Sequence, residues 1–411
     1  MKLSKLKKII GPSIITGASD DDPSGIATYT QAGAGFGLQF LWTAIVTWPM
    51  MVVVQEMCAR IGIVTRTGLT GILKKHYPRP VLWVMIAFSF PAIILNITAD
   101  LASMGAVSHL LFPAIPSSAF AAFFCVLLLF NLIKLSYRTI ATVLQYLCLV
   151  LLCYLIVPFL SKQDWGAIIK ATFLPTITFD TASISIFVAI LGTTISPYLF
   201  FWQTSMEVEE VKERKIMVNK QVIEEARTDV RWGILFSNVI FYFIVLTAGT
   251  ELFPMGITQI DTVDQAAIAL RPLVGDKAFY LFAFGVIGTG LLAIPVLAGS
   301  ISYMLAEAFG WKEGLNKKFH QAKGFYIVLI VSVLLALFID LLGVNPVKAL
   351  IYTAILYGIT SPVLIGIIMH ISNNKKIMKS YTNNRMTNII GVITLLVMTS
   401  AAVLMFVQWL N

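Results

Sequence analysis

Two short stretches place groups able to hold a cation inside otherwise apolar runs. In GPSIITGASDDDPSGIATYTQAGAGFG, which begins at Gly11, three consecutive carboxylates (Asp20, Asp21 and Asp22) lead directly into Pro23, Ser24 and Gly25. In FVAILGTTISPYLFFWQTS, which begins at Phe187, a second apolar run is interrupted by Gly192, Thr193, Thr194, Ser196 and Pro197. Proline removes a backbone donor and clashes with the preceding turn, so helices are expected to unwind near 19–25 and 192–197. Carbonyls freed at the end of a half-helix carry partial negative charge and can coordinate a cation. A carboxylate beside them adds a full charge. Because an acid at membrane depth is costly, it marks a functional site unless a partner explains it. Asp22, immediately before Pro23, is the foremost candidate. It is also well placed as an N-cap ahead of a proline at the first helical position, and the two roles coexist because a cap needs only one carboxylate oxygen. Asp20 and Asp21 read as the lining of a wet vestibule.

The elements that must position these groups follow from composition. Of 411 residues, 58% are hydrophobic and 12% charged, against about 25% charged in ordinary soluble domains, and the mean hydropathy is +0.84. One globular core cannot hide that much apolar surface. Residues 119–132, 139–160 and 387–406 contain no Asp, Glu, Lys or Arg, and the last two are each long enough to span a bilayer. A soluble enzyme, a nucleic-acid binder, a disulfide scaffold and a disordered chain are excluded. An all-α polytopic membrane protein remains.

Hydropathy marks eleven spans: 9–35, 39–61, 81–111, 119–135, 140–161, 183–204, 231–252, 277–309, 324–342, 347–371 and 387–408. With loops on alternating sides, twenty-five of the thirty Lys and Arg fall on one side. That asymmetry places the N-terminus in the cytoplasm and the C-terminus outside the cell membrane, and it accounts for the net charge of +9 without a polyanion partner. The basic segment at 2–8 precedes no cleavage pattern, so the first span is expected to insert the chain. Cys58, Cys125, Cys148 and Cys153 lack ligand-like spacing and read as reduced packing residues.

Spans one to five and six to ten form two halves of opposite orientation, a 5+5 inverted repeat of about 9–161 and 183–371, with an extra helix at 387–408. Both halves open on a Pro/Gly-broken helix, the best sequence pointer to a transporter's binding site. The charged stretch 205–231 reads as a solvated cytoplasmic linker that begins as a helix leaving span six.

The residues then resemble a family. GPSIITGASDDDPSGIATYTQAGAGFGLQFLW, followed by VQEMCARIGIVTRTGL, looks like the first two helices of the NRAMP divalent-metal transporters, ITADLASMGAVSHLLF like their third, and LFAFGVIGTGLL with GSISYMLAEAFGW like their eighth. The resemblance implies the amino-acid-transporter-type fold, with a metal ion held between the unwound parts of helices one and six. The family's Asp-Pro-Gly-Asn motif falls on Asp22, Pro23, Ser24 and Gly25, and its Met-Pro-His motif on Ser196, Pro197 and Tyr198. The implied site is thus Ser19, Asp22, Gly25, Thr193, Ser196 and Tyr198, with backbone carbonyls supplied by Ser19 and Thr193. Asp100 matches an acid the family uses in proton movement, whereas the glutamate three residues later is Ser103.

These departures have a direction. A thioether selects softer transition metals, whereas hydroxyls, carbonyls and carboxylates suit hard cations. Magnesium keeps several waters and is bound through one or two carboxylates, so the roomier site resembles that of the magnesium-transporting branch of NRAMP relatives. The expectation is Mg2+ transport with Mn2+ also passing, uncoupled from protons because Tyr198 and Ser103 break the titratable chain. The metal ion is cargo, and no resident cofactor, nucleic acid or obligatory protein partner is implied beyond the bilayer. The rival readings are a proton-coupled Mn2+/Fe2+ transporter and an amino-acid transporter of the same fold, the latter disfavoured because Asp22 would repel a substrate carboxylate. No HExxH, GxSxG or paired catalytic-acid motif supports an enzyme.

Other polar residues have plainer readings. Glu56 and Arg60 form an i,i+4 ion pair, and Glu307 faces the cytoplasmic interface. The four histidines share no periodicity. Asn96 and Asp100 lie on one helical face, as a buried polar network or a second ion site. Gln203 is placed to line the inner vestibule. Ala32–Gly37 is a close-packing run rather than a phosphate loop, since no Lys-Ser/Thr follows.

Overall fold

The computed structural model describes residues 17, 19–134, 152–160, 162–176, 178–260, 263–271, 275, 278–343 and 345–410. The first half comprises α1 (Pro23–Phe36), α2 (Leu41–Thr65), the short α3 (Leu69–His76), α4 (Arg79–Leu111) and α5 (Ser117–Lys134). Two short helices, α6 (Cys153–Leu160) and α7 (Trp165–Phe173), precede the second half. That half comprises α8 (Thr181–Thr194), α9 (Pro197–Glu213), α10 (Lys220–Glu251), the short α11 (Val263–Ile268), α12 (Ala278–Phe309), α13 (Lys323–Asp340) and α14 (Pro346–Asn373). Then follow α15 (Lys375–Met378) and α16 (Arg385–Leu410). Among the described residues a helix stands at ten of the eleven expected spans, and the short α6 lies at the end of the other, the fifth. The expected fifth span lies mostly outside the described residues, as do Cys148 and the start of the first span.

Among the described residues, nine helices are long and apolar enough to cross a membrane, α8 and α9 counting as one. They sort into a centre and a rim. The α8–α9 span buries 89% of its most apolar window, but α5 buries 28% and α13 and α16 each 33%. Val126, Phe130, Phe338 and Leu396 are exposed on those rim helices, as expected where the solvent is hydrocarbon.

Packing in the centre exchanges partners between the halves. α1 packs along α10, while its counterpart α9 packs along α2. A two-fold relating the halves demands this swap. The heaviest packing joins α8 to α14. A Cβ on Gly192 would lie 1.9 Å from the Ala354 carbonyl oxygen, and one on Gly358 would lie 2.4 Å from that of Val188. Only glycine lets the two backbones approach so closely, the usual device where no hydrophobic force drives helices together. Cys58, Cys125 and Cys153 are free thiols.

The solvated linker is shorter than expected. α9 continues to Glu213 with Ser205, Met206, Glu207, Val208 and Val211 buried. α10 starts at Lys220, where the Asn219 side chain accepts from the Val222 amide at 2.9 Å. Of 205–231, only 214–219 is non-helical. Glu56 likewise pairs differently from its i,i+4 expectation. Its carboxylate instead holds Arg227 of α10 at 3.0 Å, and Arg60 donates to Asn383.

Candidate cation site

Both predicted helix breaks are present, and local chemistry explains each. α1 begins at Pro23 with Asp22 as N-cap in an extended conformation (φ −68°, ψ 172°), the backbone region that a following proline enforces. α9 begins at Pro197 with Ser196 likewise extended (φ −75°, ψ 130°). Residues 21–22 and 195–196 therefore form the non-helical joints between paired half-helices.

Asp22 sits at the junction of three elements. Its Oδ1 accepts the Gly25 amide at 2.8 Å, and its Oδ2 accepts Nδ2 of Asn96 on α4 at 2.9 Å. The cap and the α4 contact thus use both oxygens. A carboxylate offers about four lone-pair sites, more than these two contacts use. Gly25 contributes its amide to this cap, which is a positioning contact rather than a ligand contact.

The second break is tied to the first. The Tyr198 hydroxyl donates to the Ser19 carbonyl at 3.0 Å. The Tyr29 and Thr194 hydroxyls meet at 3.2 Å. Ser196 Oγ turns back to the end of α8, toward the carbonyls of Thr193 at 2.6 Å and Gly192 at 3.0 Å. The Ile195 carbonyl freed by the break accepts Ser361 Oγ of α14 at 2.8 Å. Two carbonyls implied as ligands, those of Ser19 and Thr193, therefore already accept hydroxyl hydrogens.

Asp20 and Asp21 do not line a wet vestibule. They are 1% and 0% exposed, and each accepts Ser237 Oγ of α10 at 3.1 Å. The correction is physical: Gly17, Asp20 and Asp21, among the described residues before the break, lie against Gly233 and Ser237 of α10, so neighbouring side chains that look solvated in sequence are enclosed. Gln203 is also fully buried rather than vestibular, donating to Glu207 at 2.9 Å one turn along α9. Asp100 and Ser103 are buried on α4, on the same side as Asn96. Among the described residues, neither oxygen of Asp100 has a hydrogen-bond partner, and Asn96 Oδ1, Ser103 Oγ and the Tyr357 hydroxyl are also unpartnered.

The electrostatics follow from that inventory. Asp20, Asp21, Asp22 and Asp100 are all buried, and no Lys or Arg of the described residues forms an ion pair with any of them. Desolvating an unpaired charge costs several kcal/mol, so the cluster calls for neutralisation by protons or a cation. No group of three or more His, Cys, Asp and Glu surrounds a common point among the described residues. The site therefore offers few charged ligands among many neutral oxygens. The described histidines take no part: His109 meets the Ile115 carbonyl at 2.7 Å, and His370 bonds Tyr77.

Sequence reading missed Ser237, Ser361, Tyr29 and Tyr357. Ser237 carried a usable signal, being half of a Ser-Asn pair inside the apolar seventh span. Ser361 and Tyr357 are one-turn neighbours on α14 whose relevance is set by tertiary contact with α8 and α9.

Two broken spans meeting at a buried acid, between helix pairs that exchange partners, define an inverted-repeat membrane carrier architecture. The chain belongs to the Nramp family (natural resistance-associated macrophage protein-like), which it matches over residues 13–408. It is 25% identical over 408 residues to a protein named divalent metal cation transporter MntH from Caldanaerobacter subterraneus subsp. tengcongensis, covering 96% of this chain and 91% of that protein. A protein of the same name from Klebsiella pneumoniae is 25% identical over 390 residues, covering 93% and 90%. Among solved structures, a manganese transporter of Eremococcus coleocola superposes with a TM-score of 0.76 at 18% identity, covering 95% of this chain and 84% of that one. MhsT in complex with L-phenylalanine superposes at 0.60 and 11% identity, covering 96% and 98%. These likenesses share one helical inverted-repeat fold.

Proposed function

We propose that this chain carries divalent metal cations across the cell membrane, with its N-terminus in the cytoplasm and its C-terminus outside. The two MntH relatives are named for that class of substrate. The single observation that carries the reading here is Asp22, a buried carboxylate at a helix break. In this reading Asp22 is the charged ligand, the Ser19 and Thr193 carbonyls and Ser196 Oγ are neutral ligands, and Tyr198 and Gly25 shape the space around them.

We further propose that the preferred ion is Mg2+, with Mn2+ also accepted and no proton coupled to transport. Support comes from the donor set: all oxygen, a single carboxylate in direct reach, and no thioether or imidazole. A proton-coupled Mn2+/Fe2+ carrier is the second reading, favoured by Asp100, a buried acid without a partner. The purified protein in liposomes, loaded with an ion indicator and a pH indicator, distinguishes the two. Mg2+ entry without internal acidification is expected. Entry of Cd2+ or Fe2+ without Mg2+, or acidification that tracks metal entry, contradicts the proposal.

A further inference from the structure

We infer that Asp100 is the second carboxylate of the cation site and holds the ion through an intervening water. This rests on the proposed role of Asp22 as the direct ligand. Asp100 lies one turn beyond Asn96 on α4, and Asn96 is bonded to Asp22 at 2.9 Å. Asp100 therefore shares the face of α4 that contacts Asp22 through Asn96. Asp100 is 0% exposed, and neither of its oxygens has a partner among the described residues.

A carboxylate enclosed in this way needs a counter-charge or a donor. A hydrated divalent ion at Asp22 supplies both, because water bound to it presents strongly polarised hydrogens. Three further orphaned atoms suit such a shell: Asn96 Oδ1 and the hydroxyls of Ser103 and Tyr357. The cavity of about 20 Å3 beside Pro23 and Ser103 has an otherwise apolar lining and reaches neither carboxylate, so the bridging water is assigned to the orphaned polar atoms alone. The adjacent wall is apolar, formed by Ala27, Ala99 and Leu350, which keeps the field of the second carboxylate strong.

The consequence is selectivity through hydration. An ion that keeps its waters profits from both acids, whereas one that sheds them profits mainly from Asp22. Magnesium dehydrates reluctantly, so loss of Asp100 penalises Mg2+ more than Mn2+.

The test is uptake by liposomes carrying the parent, Asp100→Asn or Asp22→Asn, with initial rates measured over a range of Mg2+ or Mn2+. Asp100→Asn is expected to raise the Mg2+ KM about tenfold and the Mn2+ KM about threefold or less, with the maximal rate largely kept. Asp100→Glu, which keeps the charge, restores much of the Mg2+ affinity. The metal-free melting temperature of Asp100→Asn in detergent stays close to that of the parent, because the enclosed acid is neutralised by a proton when no cation is bound. The inference is overturned if the Mg2+ KM is unchanged, if both ions lose equally with a lower melting temperature, or if only a proton flux is lost. Normal transport by Asp22→Asn would instead refute the direct-ligand reading, and is recognised independently of Asp100.

Discussion

The Tyr198 hydroxyl donates to the Ser19 carbonyl at 3.0 Å, so a side chain from one helix break occupies a backbone acceptor of the other. The contact closes the site across the two halves. It also competes with an ion for a carbonyl proposed as a ligand.

Tyr198→Phe removes that hydroxyl without changing the ring. The loss of one buried hydrogen bond costs about 1 kcal/mol, lowering the metal-free melting temperature. With the tyrosine donor gone, Mg2+ raises the melting temperature by more than it does in the parent. Thermal unfolding in detergent with and without Mg2+ measures both, and an unchanged Mg2+-dependent increment counts against the role of Ser19.

Ser196 is N-cap of α9 but makes no side-chain cap bond there, its hydroxyl turning back to Thr193 and Gly192. Ser196→Met puts a polarisable sulfur at the same joint. Uptake of Cd2+ relative to Mg2+ is expected to rise about tenfold, following ligand softness. A ratio that stays put would remove Ser196 from the ion's surroundings.

On the proposed cytoplasmic side, Glu307 near the end of α12 accepts the Gly71 amide at 2.8 Å, at the start of α3. Gly68 makes room for it, since a Cβ there would lie 1.7 Å from Glu307 Oε1. Gly68→Ala displaces the carboxylate and costs about 1–3 kcal/mol. Glu307→Ala also destabilises, but it vacates the space. The double variant should therefore lose clearly less than the two single losses combined, and strict additivity in denaturation measurements would refute this fit of Glu307 over Gly68.

Glu313 lies in the loop after α12, beside Glu209, Lys212 and Lys317. Burial lifts its carboxyl from the usual range to about 7, the two lysines acting against that shift. A raised acid destabilises the fold once the unfolded chain has ionised, so the penalty is absent below about pH 4 and grows until pH passes 7. Glu313→Gln should match the parent at pH 4 and melt higher at pH 8. A variant that melts lower at pH 8 contradicts this sign.

The helix breaks were legible because their cause is local: Pro23 and Pro197 sit within apolar runs and force the preceding residue out of helix. The place of Asp22 at the first break, as N-cap before Pro23, was legible for the same reason. What lay beyond the sequence was the tertiary environment. Asp20 and Asp21 looked like vestibule residues because adjacent acids usually face water, yet both converge on Ser237, more than two hundred residues away. Glu56 and Arg60 have the spacing of an ion pair, but Arg227 reaches Glu56 from α10. The linker at 205–231 carried the charges of a solvated segment, although Glu207 is buried against Gln203. In each case a distant helix supplied the partner that local pattern could not name.

The central claim is that Asp22 holds the transported divalent cation. It is tested most directly by calorimetric titration of Mg2+ into the purified protein and into Asp22→Ala, with folding checked by size exclusion. The account predicts saturable binding in the parent and a loss of about a hundredfold or more in affinity in the variant. Equal Mg2+ affinity in a well-folded Asp22→Ala protein would contradict it.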